Sequence, residues 1–295
     1  MSSSKLTTVL VAGAGGNTGV FVNVILLTRP GSEGKSRVQF LKEKGAKIRF
    51  GDVSKDSVPE LEKVLEGVNV VLSLVSVAVL NDQKKLFQAA KNAGVDRVIP
   101  SDFATASLSG GVLKETKLAI HSFIKELGIG YTFINVGWWM ELILPYPPSQ
   151  PESHVTTLPR FFVGSGDVKS AVTRREDIGK FVARIIADPR TLNAYVFCHG
   201  DEVTVNEAYA TAKEVGKEDF NSVKMPLSID QLKEQNPIMR DYYQEMYVLG
   251  QNTVENAKQL GAIDARELYP DIKPKTLKEY ATEFYKEFPD IRYDF

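Results

Sequence analysis

Short apolar, β-branched runs alternate with amphipathic stretches up to about residue 140 of this 295-residue chain. The runs at 8–12, 24–28, 47–50, 68–73, 97–100 and 131–136 are read as strands, because β-branched side chains pack well on a pleated surface. Stretches 58–65, 82–93 and 114–127 set their apolar residues at helical spacing, and Gly67, Gly94 and Gly128 stand where those helices should stop. Strand and helix in regular alternation predict an α/β fold, a doubly wound parallel sheet covered by helices.

Past Trp139 the pattern changes. Residues 145–151, Pro-Tyr-Pro-Pro-Ser-Gln-Pro, cannot run through a helix interior and are read as a loop leaving the first unit. Thr173-Arg-Arg-Glu176 has the form of a capping box ahead of an apolar helix over 178–186, and 195–198 is strand-like. Beyond it the chain is helical, charged and aromatic. The expected organisation is a sheet domain over residues 1–150 and a smaller, mostly α region over 151–295, with some elements returning to the first unit. There Tyr242, Tyr243, Met246 and Tyr247 form an aromatic helical stripe, of a kind found more often as core between units than as pocket.

The first run ends in Gly13-x-x-Gly16-x-x-Gly19. Glycines so placed make a tight turn, let backbone N–H groups approach a pyrophosphate and pack closely on the sheet, which points to a dinucleotide and a Rossmann-type fold. Asn17 and Thr18 either meet phosphate oxygens or brace the turn. The second run ends at Arg29, where a carboxylate would suit the ribose hydroxyl of NAD and a cation suits the 2′-phosphate of NADP, with Lys35 as a further nearby cation. NADPH is therefore the expected cofactor. Asp52 closes the third run, either at the adenine edge or as the cap of a turn. Ser76 and Val77 after the fourth run, and Ser101, Asp102 and Phe103 after the fifth, are expected along the carboxyl edge of the sheet, where open α/β folds bind ligands.

The segment after Gly19 breaks the usual plan. The next strand-like run begins a few residues later, where a helical crossover takes about a dozen residues or more. A fully extended chain from Gly13 to Asn23 covers about 33 Å, enough to return beside a short strand. The helix N-terminus that supplies much of a pyrophosphate site would be missing, together with its apolar cover over one sheet face.

Lys117 is the candidate catalyst. A lysine beside bound nicotinamide can stabilise developing oxyanion charge and relay a proton, although most helical lysines are simply solvated. Leu113 stands four residues before it, so the Tyr-x-x-x-Lys dyad of short-chain dehydrogenases is absent. Lys114, its nearest competitor, is read as lying on another helical face. His121, one turn on, either touches the cofactor or is a satisfied boundary histidine. Trp138 and Trp139, followed by Met140, are candidates for an aromatic wall against a flat substrate, with core packing as the alternative.

Composition narrows the class without selecting an activity. Hydrophobic residues at 43% and charged residues at 25% support a sizeable core, and the net charge of −1 gives no footing for nucleic acid. One cysteine, Cys198, leaves no intramolecular disulfide, and His121, His154 and His199 are too scattered for a structural zinc site, so no metal is expected. No apolar run is long enough for a signal peptide or a membrane span, which points to a cytoplasmic protein.

Taken together, GAGGNTG, the Leu27-Thr-Arg-Pro30 strand end, Phe50-Gly-Asp52, Asn81-Asp-Gln83, Pro100-Ser-Asp-Phe103, Lys117 and Gly128-Ile-Gly-Tyr-Thr132 resemble the isoflavone reductase-like and NmrA-like branch of the atypical short-chain dehydrogenases, with phenylcoumaran benzylic ether reductases among its members. The spacing from Lys117 to the GIGYT segment is similar to that from the family's catalytic lysine to its GIPYT segment, and the GWW segment resembles fungal members. The resemblance implies an NADPH-dependent reductase with a Rossmann domain, a small C-terminal substrate region and Lys117 as proton relay or charge stabiliser. Its implied partner is a small aromatic or conjugated substrate, with the chain acting as a monomer or homodimer. Two departures stand out: His121 occupies the place of a cofactor-contacting Arg in the plant reductases, and the first crossover is short. The rival readings are a dinucleotide-sensing regulator that works through a protein partner, and an inactive variant with an impaired cofactor site.

Overall fold

A computed structural model describes residues 8–13, 24–106, 111–149, 161–235 and 237–287. Strands β1 (Val9–Ala12), β2 (Val24–Thr28), β3 (Lys47–Phe50), β4 (Val70–Ser73) and β5 (Arg97–Ile99) form a parallel sheet in the order β3-β2-β1-β4-β5. The chain runs outward from β1 to β3, then returns to the other side of β1 through β4 and β5. This reversal is the doubly wound plan read from the alternation of runs, and all five carboxyl ends share one edge. A backbone bridge between Val98 and Tyr131 continues the parallel arrangement to β6 (Thr132–Asn135).

The remaining strands are short: β7 (Trp138–Trp139), β8 (Phe161–Val163), β9 (Ser170–Thr173), β10 (Ala194–Phe197), β11 (Asp201–Val203), β12 (Met225–Leu227) and β13 (Ile263–Asp264). Of these, β10 pairs in parallel with both β6 and β13, extending the layer, while β7, β9 and β11 form a small mixed sheet. Helices α1 (Ser36–Glu43), α2 (Val58–Val64), α3 (Gln83–Asn92) and α4 (Gly111–Leu127) belong to the first half of the chain. They are followed by α5 (Met140–Ile143), α6 (Arg175–Ile185), α7 (Val205–Gly216), α8 (Ile229–Gln235) and α9 (Pro237–Tyr247).

The two faces of β1 and β2 feed different cores. Val9, Val11, Val24 and Leu26 share one with Leu41 of α1 and with Ile178, Phe181 and Val182 of α6, whereas Leu10, Ala12, Ile25 and Leu27 share the other with α2 and α3. Every residue of β1 and β2 is buried, so the expected loss of apolar cover is not seen. Val9 lies opposite Val24 and Ala12 opposite Leu27, so parallel register is reached with only residues 13–23 between the strands.

Three readings of the sequence are corrected. Helix α1 lies between the second and third strands where no helix was expected, because only Val38 and Leu41 of it are buried and two apolar positions make a weak stripe. Thr173 is not the N-cap of α6. It belongs to β9, where its hydroxyl donates to Val136 O at 2.6 Å, and Arg174 takes the cap position while pairing with Glu176. The C-terminal third also contains β11, β12 and β13, strands of two or three residues that are too short to display a period.

Candidate active site

Along the carboxyl edge, Gly13 marks the gap between β1 and β4. Its φ of +83° suits glycine, and a Cβ built there would lie 2.4 Å from Leu74 O, in collision with the backbone leaving β4. No other residue allows the chain to turn so tightly between these strands. Open α/β folds bind dinucleotides where strand order reverses, and the described part of this edge fits such a ligand. Gly16, Asn17, Thr18 and Gly19 lie outside the described residues.

On the β2–β3 side the two candidate cations are open to solvent. Arg29 follows β2 and is exposed, and Lys35 stands exposed at the N-cap of α1, making no side-chain cap bond. Asp52 follows β3 and accepts both the N–H of Ser54, at 3.0 Å, and its hydroxyl, at 2.6 Å. Partial burial opposes the charge of Asp52, but these bonds, with Lys55 and Arg29 nearby, hold its carboxyl below the usual range. Of the two roles considered for Asp52, the turn cap is the one visible in its bonds.

On the β4–β5 side the candidates are linked. Ser76 stands at the N-cap position of the 3-10 turn after β4 without a side-chain cap bond, and Val77 is an exposed residue of that turn. The Ser101 hydroxyl donates to Val75 O at 2.9 Å, and its N–H donates to the buried Gln83 Oε1 at 3.0 Å, which locks the ends of β4 and β5 together. Phe103 is buried in the sheet core.

The polar centre of the molecule forms where β5 gives way to α4. Lys117 is 8% exposed, Asp102 4% and Tyr242 8%. Lys117 Nζ donates to Asp102 O at 2.7 Å and to the Tyr242 hydroxyl at 3.4 Å. His121 Nε2 lies 2.5 Å from Asp102 Oδ2, and its ring stacks on Phe133 at 3.7 Å between centroids. Burial works against ionisation of Asp102, yet His121, with Lys117 and Lys114 behind it, keeps the carboxyl below the usual range. A fixed carbonyl and a fixed anion thus hold a buried ammonium at the sheet edge. Such a cation can stabilise negative charge on a bound oxygen with little reorganisation.

Lys114 corrects the sequence reading. Three residues apart on a helix is one face, not two, and Lys114 also feels Asp102, with Glu245 of α9 as a second anion. Burial, with Lys117 adding repulsion, pushes its ammonium below the ordinary lysine value. Tyr242 and Glu245 were not expected here, and the i, i+3 spacing of Lys114 and Lys117 was the one local signal that a larger cluster forms.

The tryptophans part company because consecutive strand residues face opposite ways. Trp138 and Met140 join the C-terminal core with Tyr242, Tyr243, Met246 and Tyr247, whereas Trp139 packs against the sheet core. The Trp138 ring lies 6.0 Å from that of Tyr242 and 6.3 Å from that of Tyr243. A surface cavity of about 220 Å³ beside Asn69, Asp96, Arg97 and Leu192 opens at the opposite, amino edge of the sheet. Arg97 there donates to Ile185 O, Asp188 O and the Thr191 hydroxyl, and the cavity lies away from the polar centre.

Strand order, a glycine-bound gap between β1 and β4, and functional groups along one carboxyl edge define a Rossmann-type α/β protein. Residues 5–281 match the NmrA-like family, and the chain belongs to it. It is 33% identical to asnovolin J 5′,6′-dehydrogenase of Aspergillus novofumigatus, covering 90% of this chain and 88% of the relative. It is 29% identical to isoflavone reductase homolog P3 of Arabidopsis thaliana, covering 92% of each. In fold it is similar to leucoanthocyanidin reductase of Vitis vinifera, solved with NADPH, with a TM-score of 0.79 at 22% identity over 95% of this chain and 100% of that one. The structure of AtPrR2 with NADP+ and (+)pinoresinol is similar over 96% of this chain and 100% of that one, with a TM-score of 0.76 and 24% identity. Among the described residues, no helix is long and apolar enough to cross a membrane.

Proposed function

We propose that this protein is an NADPH-dependent reductase acting on a small aromatic or conjugated substrate, with Lys117 as charge stabiliser and proton relay. The observation that carries the reading is the buried Lys117 ammonium, anchored on Asp102 O at the carboxyl edge of the sheet. Gly13 would admit the pyrophosphate between β1 and β4, Arg29 and Lys35 would meet a 2′-phosphate, and Ser101 and His121 would border the nicotinamide half. When bound, the dinucleotide supplies hydride. The chain's own part is to orient the reactants, exclude water around Asp102 and hold a positive charge where a substrate oxygen becomes negative. Trp138, Trp139 and Met140 are assigned to the substrate side, the Trp138 ring lying 6.0 Å from that of Tyr242. The solved relatives with NADPH or NADP+ support the cofactor, and the reductases among the relatives support the reaction class. The Aspergillus relative is named a dehydrogenase, so turnover should be followed in both directions.

The test is a titration of purified protein with NADPH and NADH, followed by Lys117→Ala. NADPH should bind more tightly than NADH, and the substitution should cut turnover by about 10²–10⁴-fold while leaving binding largely intact. No fluorescence or thermal response to millimolar NADPH would sink the reading. A regulator that binds dinucleotide without turnover is the second reading, favoured by the short link of residues 13–23. It requires that NADPH bind and that Lys117→Ala change no activity.

A further inference from the structure

The dyad tyrosine missing from α4 has a counterpart on another helix. Tyr242 belongs to α9, 125 residues from Lys117, and brings its hydroxyl within 3.4 Å of the ammonium. Both side chains are buried. Lys117 is the donor in that contact, so the Tyr242 hydroxyl uses a lone pair there and keeps its own proton to give. Among the described residues no other hydrogen bond of Tyr242 is seen. Beside it, the buried indole N–H of Trp138 meets no acceptor among the described residues.

The packing that brings Tyr242 here is specific. The neighbouring Asp241 carboxylate closes directly over Gly111 at the start of α4, where a Cβ would overlap it and where φ is +69°. The left-handed backbone there favours glycine, and the Asp241 side chain of α9 fills the space a Cβ would take.

We propose that the Tyr242 hydroxyl is the proton donor to the substrate oxygen and Lys117 the cation that holds and recharges it: a tyrosine–lysine pair assembled from α9 and α4. This deepens the reductase reading and rests on it. The substrate class is a conjugated carbonyl compound with an aromatic body, reduced at the expense of the reduced nicotinamide dinucleotide. As hydride forms the new C–H bond, the carbonyl π pair moves onto oxygen. The Tyr242 O–H bond breaks and its proton passes to that oxygen, giving the alcohol. The phenolate takes a proton from the Lys117 ammonium, and the amine is reprotonated from solvent.

The experiment uses 4-nitrophenol as an oxyanion probe, because its phenolate absorbs visible light and needs no turnover. Wild-type protein, Tyr242→Phe and Lys117→Met are titrated with the probe, with and without NADP+, at a pH where the free phenol is mostly neutral. NADPH binding is followed separately by fluorescence, and folding by circular dichroism. Wild type should bind the probe as phenolate. Each variant should lose about tenfold or more of that binding with NADPH affinity unchanged. Tyr242→Phe keeps the ring, so loss of signal without loss of fold reports the hydroxyl. An unchanged phenolate signal in Tyr242→Phe, or no phenolate signal in wild type, overturns the pair. Failure of wild type to bind NADPH strikes the cofactor reading instead, and the probe without nucleotide then decides the pair on its own.

Discussion

The two halves of the sheet's carboxyl edge are built differently. Around β2 and β3 the cations Arg29 and Lys35 are exposed, and the half-buried Asp52 is spent on its own turn. Where β5 meets α4 and α9, Asp102, Lys117 and Tyr242 are buried and bonded to one another across 15 to 125 positions of sequence. A charge in water is cheap and weak, whereas a charge fixed in a dry site is strong and costs stability unless it is paired. The first half is therefore suited to recognition that salt can tune, and the second to chemistry.

Asp102→Asn is the hardest test of the buried half. It leaves the backbone carbonyl for Lys117 but removes the anion facing His121, so about 3–5 kcal/mol of stability should be lost near neutral pH. The Asp102 carboxyl titrates below its ordinary value in the fold. Its contribution is therefore complete above the unfolded value of about 4 and fades as pH falls through the folded value. Thermal unfolding of both proteins across pH should give a gap that is wide at pH 7 and narrows in acid. Equal stabilities at neutral pH would mean that the cluster is not electrostatically tight.

That same half was the less legible one in the sequence. Strands β1 to β6 could be read within a residue or two, because runs of Val, Ile and Leu have few other fates in a parallel sheet. The turn at Gly13 could be read because tight turns leave a residue signature, whereas Lys117 was singled out by its spacing to the Gly128-Ile-Gly-Tyr-Thr132 segment, its amphipathic helix giving only the setting. Tyr242 could not, since nothing local to α9 says that its ring meets an ammonium 125 residues away. Packing of α9 against α4 decides that. The pairing of β10 with β13 was hidden for a related reason: a two-residue strand has no period to read.

Gly13→Ala bears on the junction between the halves. Left-handed backbone in a non-glycine residue costs about 1–3 kcal/mol, and the added Cβ would also strike Leu74 O. The variant should melt earlier and lose NADPH affinity more than it loses helix content, as followed by thermal denaturation and fluorescence titration. Wild-type affinity in a folded Gly13→Ala protein would move the cofactor away from the β1–β4 gap.

The exposed half should yield the smallest effects, and how they depend on conditions is what identifies them. Arg29→Ala is expected to weaken NADPH about fivefold and NADH hardly at all, because an exposed ionic contact to the extra phosphate contributes roughly 1 kcal/mol. Lys35→Ala should cost less than Arg29→Ala, since its ammonium is a strongly hydrated point charge on a flexible stem and lacks the two-pronged fork of a guanidinium. Raising ionic strength should shrink both effects together, as screening shortens the reach of solvated charges to within a few ångströms near 1 M salt. Equal losses for NADPH and NADH in Arg29→Ala would remove its role at the 2′-phosphate. A preference for NADPH that survives high salt would show that the discriminating cation is buried rather than one of these two.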